Sequence, residues 1–280
     1  MDRRAEEGAL AGKAILITGA GRGLGRAYAL DAARHGAKVM AADVDAATAA
    51  DTAAAIEAEG GTAGSIGGSV ADWEETGAQI AATVDAFGAL DGLVNNAGVL
   101  PIGPPWENDE AALRAVVEVN LLGTMFCGVQ AMAHMREHGG GAIVNVTSGT
   151  HLGLYPGLSA YGATKGGVAS LTYGWAAHGA EAGIRVNAIS PLARTPMEES
   201  FSPDKVIGPP AEVVAPAVSY LLSDRAAGVN GQIVRLDGSA LSLLARPAYS
   251  TTKVEGERFT LDQIAAAFDA GALGPLSPVD

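Results

Sequence analysis

Three polar side chains in the middle of the chain have the types and spacing of an acid–base site. Tyr161 and Lys165 are four positions apart, so a helix would place both on one face. A free tyrosine has a pKa of about 10, and a neighbouring cation lowers that pKa by favouring the phenolate. Ser148 precedes Tyr161 by 13 residues and follows an apolar run. Together these residues predict proton transfer to or from a bound oxygen, which Ser148 would orient.

A glycine-rich segment near the N-terminus has the form of a phosphate-binding loop. The segment Thr18-Gly-Ala-Gly-Arg-Gly-Leu-Gly25 lies between an apolar run and a helical one. Its glycines at 19, 23 and 25 permit a tight turn and a close approach of the backbone to a pyrophosphate. The helix that follows would add free N–H groups and its positive dipole end. This context favours a dinucleotide site over an ordinary turn.

The second apolar run ends in Asp43, 24 residues after Gly19. A carboxylate at this place accepts hydrogen bonds from a ribose 2′-OH and would repel a 2′-phosphate. Arg22 argues weakly in the other direction, because a guanidinium can bind a 2′-phosphate. The position of Asp43 at the end of the strand predicts NAD, with NADP as the alternative.

Short apolar runs alternate with helix-like segments along the chain, and they predict the strands and helices that position these residues. The strand predictions are Ala14–Thr18, Lys38–Ala42, Thr62–Gly67, Gly92–Asn95, Ala142–Thr147, Arg185–Ile189 and Gln232–Leu236. The helix predictions are Leu24–His35, Ala46–Glu59, Asp72–Phe87, Glu110–His138, Ser159–Ala182 and Ala211–Ser223. Short strands that are apolar throughout indicate burial on both faces, and the alternation predicts a doubly wound parallel sheet between two helix layers.

Composition excludes several classes of protein. The net charge of −13 disfavours a nucleic-acid partner, and we expect no membrane partner because no apolar run reaches about 18 residues. The first ten residues are polar and charged, unlike a secretory signal, and a single cysteine, Cys127, fits a reducing cytoplasm. The five histidines lack metal-ligand spacing, so we predict no metal site. Ser148 is not in a Gly-x-Ser-x-Gly elbow, which argues against a hydrolase.

The ordered set of motifs resembles the classical short-chain dehydrogenase/reductase family. The glycine segment Thr18–Gly25, the run Asn95-Asn-Ala-Gly98, Asn120, Ser148, Tyr161 and Lys165 match its elements over about residues 8–240. The resemblance implies an α/β single-domain Rossmann fold with a seven-stranded parallel sheet. It also implies a nicotinamide-dependent oxidoreductase, in which hydride transfer is the cofactor's own chemistry.

The family's site residues are carried over position by position. Tyr161 would exchange a proton with the substrate oxygen, and Lys165 would lower its pKa and bind the nicotinamide ribose. Ser148 would orient the substrate, and Asn120 would hold a water that links Lys165 to solvent, unless it is a helix-distorting structural residue. The implied cofactor-binding residues are Gly19, Arg22, Gly23, Leu24, Gly25, Asp43, Asn96, Ala97, Gly98, Tyr161, Lys165, Pro191 and Thr195.

Two segments depart from the family pattern. Ser69-Val70 stands where many members have an aspartate near the adenine, which removes that carboxylate contact. Pro191-Leu-Ala-Arg-Thr195 lacks the usual glycine after the proline. This variant resembles the hydroxyacyl-CoA dehydrogenase part of the peroxisomal multifunctional enzymes and their bacterial relatives, although their long insertion is absent. Thr195 remains the best candidate to contact the nicotinamide carboxamide.

Loops at the strand ends predict a substrate site for an alcohol or ketone on a largely hydrophobic skeleton. These loops are Leu100–Ile102, Thr150–Tyr155 and the segment from Leu192 to about Phe201. His151 and Tyr155 are polar handles, and His151 is expected to be a pocket wall or a surface residue rather than a second base. The alternatives are a 3-hydroxyacyl-CoA dehydrogenase or 3-oxoacyl reductase, an epimerase or dehydratase with bound NAD, and a cofactor-binding regulator or scaffold.

The chain divides into a dinucleotide-binding and catalytic domain over 1–245 and an extension over 246–280. In the extension, Thr260-Leu-Asp-Gln263 has the spacing of a capping box and predicts a short helix. That helix would pack on the domain or a neighbouring subunit, or cover the active site. The family resemblance implies a homotetramer, and the apolar stretch Val168–Trp175 would suit either an interface or the core.

Overall fold

The structure, a computed structural model, describes residues 8–153, 155–194, 208–256 and 258–274. These residues belong to two compact units, Met1–Leu244 and Ala245–Asp280. The first unit carries every candidate site residue, and each unit is described by itself.

The first unit is built on an eight-stranded sheet in the order β3-β2-β1-β4-β5-β6-β7-β8. Its strands are β1 Ala14–Thr18, β2 Lys38–Asp43, β3 Thr62–Gly67, β4 Gly92–Asn95, β5 Gly141–Val146, β6 Ile184–Pro191, β7 Ile233–Leu236 and β8 Leu241–Leu243. The first seven strands run parallel, and β8 pairs antiparallel with β7. The strand order reverses between β1 and β4, where ligands bind in sheets of this class.

Helices cover both faces of this sheet. They are α1 Gly23–Arg34, α2 Ala46–Ala58, α3 Trp73–Phe87, α4 Glu110–Val117, α5 Gly123–Glu137, α6 Ser159–Gly179 and α7 Ala211–Leu222. In β1, Ile15 and Ile17 belong to the core cluster that includes α1 and α7, whereas Leu16 belongs to the opposite cluster with α3 and α5. Alternate side chains of a strand point to opposite faces, so this apolar run fills both cores at once. The predicted doubly wound α/β fold is confirmed.

The sheet differs from the prediction at its two edges. It has eight strands among the described residues instead of seven, because a turn held by Asp237 returns the three-residue β8 onto β7. At the other edge, β3 is not buried on both faces, and its residues are partly or fully exposed. An edge strand has a neighbour on one side only, so its small and polar residues tolerate solvent.

The long helix predicted over Glu110–His138 is divided by a π-helical turn, Glu118–Leu122, between α4 and α5. By length and apolar composition alone, Glu110–Glu137 is long enough to cross a membrane, a property that core helices of soluble proteins share. Its residues Cys127, Ala131 and Met135 are buried in the core that includes α3.

In the second unit, the predicted capping box and helix are confirmed. Helix α8 spans Leu261–Asp269, with Thr260 as its N-cap. The Gln263 N–H donates to Thr260 Oγ1 at 3.3 Å, and the Thr260 N–H donates to Gln263 Oε1 at 2.9 Å. These two bonds satisfy donors that a helix start otherwise leaves without partners.

Candidate active site

The predicted acid–base residues lie together where α6 begins beside the end of β5. Tyr161 and Lys165 share one face of α6, and Lys165 Nζ lies 5.6 Å from the centroid of the Tyr161 ring. Lys165 is only 3% exposed, and its ammonium donates to the Val146 carbonyl at 2.7 Å. The Ser148 side chain, two residues beyond β5, lies close enough to the Tyr161 hydroxyl to lower the pKa of the phenol. The two hydroxyls thus converge on one point beside a buried cation.

Burial is the largest cause of the pKa shifts of Tyr161 and Lys165. It raises the pKa of Tyr161 to about 12, and the hydrogen bond with Ser148 lowers that pKa only in part. Burial also lowers the pKa of Lys165 to about 8. The pKa of Tyr161 is thus raised on balance in this structure, and the effect of Lys165 on that pKa stays a prediction. The ammonium donates to the Val146 carbonyl, and burial disfavours the charged forms of both Lys165 and Tyr161.

The raised phenol pKa gives a pH dependence of defined sign. Oxidation of an alcohol needs the phenolate, whose fraction grows about tenfold per pH unit below the pKa, so kcat/KM for oxidation should rise between about pH 7 and 10. Reduction of a ketone needs the protonated phenol, which stays the major form there, so its kcat/KM should stay level. Initial rates at saturating cofactor and constant ionic strength measure both. An oxidation rate that does not change with pH would contradict Tyr161 as the base.

Asn120 lies fully buried in the π-turn, and its side chain is bound to the segment that follows β4. Its Oδ1 accepts from the Val99 N–H at 2.8 Å, and its Nδ2 donates to the Val99 carbonyl at 2.9 Å. Nδ2 also lies 3.4 Å from Thr164 Oγ1 on α6. The amide thus ties α5, α6 and the post-β4 segment together, and π-turns often occur at functional sites. Its proposed contact with a water near Lys165 stays a prediction.

The glycine-rich loop has the close contacts that its sequence predicts. Gly19 and Gly23 have φ of 64° and 56°, in the left-handed region that favours glycine. A Cβ added at Gly25 would lie 2.0 Å from the Gly19 carbonyl oxygen and 2.5 Å from Asn96 Nδ2. Only a glycine fits at position 25, so the loop packs directly on the start of α1.

Asn96 fixes the loop from the neighbouring strand end. Its Nδ2 donates to the carbonyls of Thr18 at 2.9 Å and Gly19 at 3.0 Å. In return, Thr18 Oγ1 accepts from the N–H groups of Asn96 and Ala97 at 3.1 and 3.2 Å. The Asn96 side chain therefore holds the loop in shape, and its direct contact with the cofactor stays a prediction.

The N-terminus of α1 is open to an anion. Its N-cap, Arg22, makes no side-chain capping bond, whereas Asp45 and Asp72 cap the helices α2 and α3. Asp43, the last residue of β2, accepts from the Gly21 N–H at 2.9 Å through Oδ2. Its Oδ1 accepts from the Asp45 N–H at 3.1 Å. A negative charge is thus fixed at the end of β2 beside an uncapped helix start.

The remaining predicted cofactor residues divide between the described and undescribed parts of the chain. Pro191 ends β6, and Leu24 lies in the first turn of α1. Gly98 lies against Asn120, since an added Cβ would be 3.3 Å from its Oδ1. Thr195 lies outside the described residues, as does most of the segment predicted to contact substrate after β6.

The loop after Ser148 forms the polar side of the predicted substrate site. His151 lies in a short 3₁₀ turn, and its Nδ1 contacts the Ser148 carbonyl. Tyr155 is 52% exposed, and its hydroxyl points back toward Gly149. Both polar handles therefore belong to one loop beside Ser148.

Comparison with known proteins now decides the family. The family model described as short chain dehydrogenase matches residues 13–206. The chain belongs to the short-chain dehydrogenase family. It is accordingly an oxidoreductase of the alcohol dehydrogenase and ketone reductase type that uses a nicotinamide cofactor.

Two curated dehydrogenases illustrate the similarity. A cis-4-hydroxycyclohexanecarboxylate dehydrogenase from Sinomonas cyclohexanicum is 40% identical over 242 residues, which cover 82% of this chain and 97% of that protein. A 2-(S)-hydroxypropyl-CoM dehydrogenase from Xanthobacter autotrophicus is 36% identical over 252 residues, which cover 84% of this chain and 98% of that protein.

A solved short-chain dehydrogenase from Mycobacterium avium has a TM-score of 0.87 and 33% identity. The matched region covers 97% of this chain and 99% of the Mycobacterium avium chain. The similarity to it therefore spans both compact units.

Sequence reasoning missed two threonines that shape the site of this short-chain dehydrogenase. Thr18 accepts the two N–H groups that follow β4, and Thr147 Oγ1 donates to the Lys165 carbonyl at 2.8 Å. Both are buried residues at the carboxyl ends of parallel strands. A hydroxyl that ends an otherwise apolar strand is the signal that could have identified them.

Proposed function

We propose that this chain is an NAD-dependent secondary alcohol dehydrogenase that also reduces the corresponding ketones, with Tyr161 as the general acid and base. The observation that carries the proposal is the convergence of the Tyr161 and Ser148 hydroxyls beside the buried Lys165. Both relatives described above are named for substrates in which a secondary carbon bears the hydroxyl. The substrate class is taken from that shared feature.

The chain's own residues supply binding, orientation and the proton path. The Ser148 hydroxyl donates to the substrate oxygen and holds it against Tyr161. In oxidation, Tyr161 takes the hydroxyl proton while the carbinol C–H bond breaks and the C=O bond forms. When bound, the nicotinamide accepts the hydride with its electron pair. In reduction, the tyrosine proton goes to the carbonyl oxygen, so each direction leaves Tyr161 in the protonation state that the other needs.

The described residues fit a dinucleotide. Because Gly25 has no Cβ, the glycine-rich loop packs directly on the start of α1. The uncapped N–H groups at the start of α1 suit a pyrophosphate. Asp43 would accept from the adenosine ribose, and its fixed charge would repel a 2′-phosphate, which favours NAD over NADP. Arg22 is exposed and is the residue that would favour NADP.

Replacing Asp43 with serine tests the preference for NAD. We expect Asp43→Ser to weaken NADH binding by about 10- to 100-fold, because it removes a charged hydrogen-bond acceptor. The same change should strengthen NADPH binding relative to NADH, because the like-charge repulsion is lost. Nicotinamide fluorescence titrations at one fixed salt concentration measure both affinities.

Asp45→Ser is the matched control, because serine also caps helices well and the charge removed lies only two residues away. An unchanged NADH-to-NADPH affinity ratio in Asp45→Ser and a changed ratio in Asp43→Ser would support the proposal. Tighter NADPH binding by the unaltered protein would contradict it and point to Arg22.

Initial rates of NAD reduction with cyclohexanol and with cis-4-hydroxycyclohexanecarboxylate test the function itself. Oxidation of either alcohol by the unaltered protein, and its loss in Tyr161→Phe, would support a secondary alcohol dehydrogenase. If NADH binds but neither alcohol nor its ketone reacts, the chain is a cofactor-binding protein with another activity. The homotetramer, the cytoplasmic location and the hydroxyacyl-CoA branch stay predictions.

A further inference from the structure

Arg235 is a charged residue within the otherwise apolar strand β7, Ile233-Val-Arg-Leu236. Its register partner in β6 is Ser190, so it lies near the carboxyl end of the sheet, where the site is formed. Alternate residues share a face, and Ile233 packs with Ala169 of α6. The Arg235 side chain therefore lies on the sheet face covered by α6, the helix that carries Tyr161.

The guanidinium of Arg235 reaches the loop after Ser148. A Cβ added at Gly149 would lie 3.4 Å from Arg235 Nη1 and 3.8 Å from Tyr155 Oη. A cation and a phenol hydroxyl thus lie beside the residue next to Ser148. The missing side chain of Gly149 leaves room between them.

Among the residues that the structure describes, the side chain of Arg235 has no hydrogen bond or ion pair, although its backbone belongs to the sheet. The charged group that it influences is Asp237, whose carboxylate accepts from the N–H groups of Ser239 and Ala240 in its own turn. Arg235 is only partly exposed. Asp237 attracts Arg235 without bonding to it, so the donors of the guanidinium stay available to a carboxylate ligand.

We propose that Arg235 is a specificity-determining residue that binds the carboxylate of an anionic secondary-alcohol substrate. The carboxylate would lie on the Gly149 side of Ser148, several bonds from the carbinol carbon, with the Tyr155 hydroxyl as a second donor. A chain of net charge −13 repels anions in general, so a cation at this point offsets that repulsion where the substrate binds. This inference rests on the proposed function and narrows its substrate class.

The test compares two substrates that share a ring and differ in the carboxylate. We expect Arg235→Met, which keeps the apolar stem, to lower kcat/KM for cis-4-hydroxycyclohexanecarboxylate by about 10- to 100-fold. Cyclohexanol should be oxidised within about twofold of the unaltered rate, and Arg235→Lys should recover part of the lost activity on the carboxylate. Arg225→Met, which removes an exposed arginine from the turn after α7, is the matched control and should change neither rate.

An equal loss on both substrates in Arg235→Met would overturn the inference, because Arg235 would then support the loop rather than the carboxylate. Cyclohexanol oxidation by the unaltered protein reports on the proposed function separately. Calorimetric binding of cyclohexanecarboxylate to the NADH complex needs no turnover. A dissociation constant about 10- to 100-fold weaker in Arg235→Met supports the inference, and an unchanged constant overturns it even if no alcohol is oxidised.

Discussion

Replacing Tyr161 with phenylalanine should lower kcat for alcohol oxidation by about 10³-fold, within the range for loss of a positioned acid–base group. The ring fills the same volume, so the packing of α6 and the position of Lys165 should be kept. Without the phenol oxygen beside Ser148, the hydroxyl proton of the substrate has no acceptor. NADH affinity should stay within about tenfold of the unaltered value, since a neutral hydrogen bond contributes modestly. Single-turnover rates and fluorescence titrations separate these two effects.

Tyr28→Phe is the matched control for that experiment. Tyr28 is a fully buried tyrosine of α1, and its hydroxyl has no hydrogen-bond partner among the described residues. Removing that hydroxyl should leave kcat unchanged and should not lower the free energy of unfolding. If Tyr161→Phe retained a tenth or more of the activity, another group would have to move the proton, and His151 would be the next residue to substitute.

Replacing Gly25 with alanine should abolish measurable cofactor binding and destabilise the first unit. The new Cβ would meet the Gly19 carbonyl oxygen at 2.0 Å, and backbone cannot move away as a flexible side chain can. Overpacking of this kind costs about 1–3 kcal/mol of unfolding free energy. The loop would also have to move off the start of α1, which separates the N–H groups that suit a pyrophosphate. Thermal unfolding and NADH titration measure the two losses.

Gly174→Ala provides the opposite control in α6. Gly174 is exposed, and an added Cβ meets no atom within 4 Å. Alanine favours a helix over glycine by about 1 kcal/mol, so this variant should be as stable as the unaltered protein or more stable. If Gly25→Ala bound NADH normally, the loop would not be the phosphate site.

Local patterns were sufficient to predict the fold and the central chemistry. An apolar run of four to six residues identifies a buried parallel strand, and an i, i+4 pair on a helix shares a face whatever surrounds it. For this reason the positions of Tyr161, Lys165 and Gly25 could be read directly. The end of β2 at Asp43 followed from the same pattern, because the apolar run stops there.

Properties that depend on distant contacts could not be read in this way. The π-turn at Asn120 accompanies its pairing with Val99, which lies 21 positions away. The raised pKa of Tyr161 comes from burial by the whole fold, which no spacing within α6 reveals. The exposed side of β3 depends on strand order. The Arg235 guanidinium lies near a loop that follows a strand two positions away in the sheet, although one charge inside an apolar strand was a visible signal.

The clamp that Asn96 makes on Thr18 and Gly19 means that the glycine-rich loop is preorganised. Its conformational entropy is lost when the chain folds, so less remains to be lost when a dinucleotide binds. Affinity at this loop therefore depends on the fraction of molecules in which the clamp is closed. A change at Asn96 would weaken binding through that fraction, without removing any contact to the ligand. Cofactor affinity and the local stability of the β1–α1 junction are thus two measures of the same equilibrium.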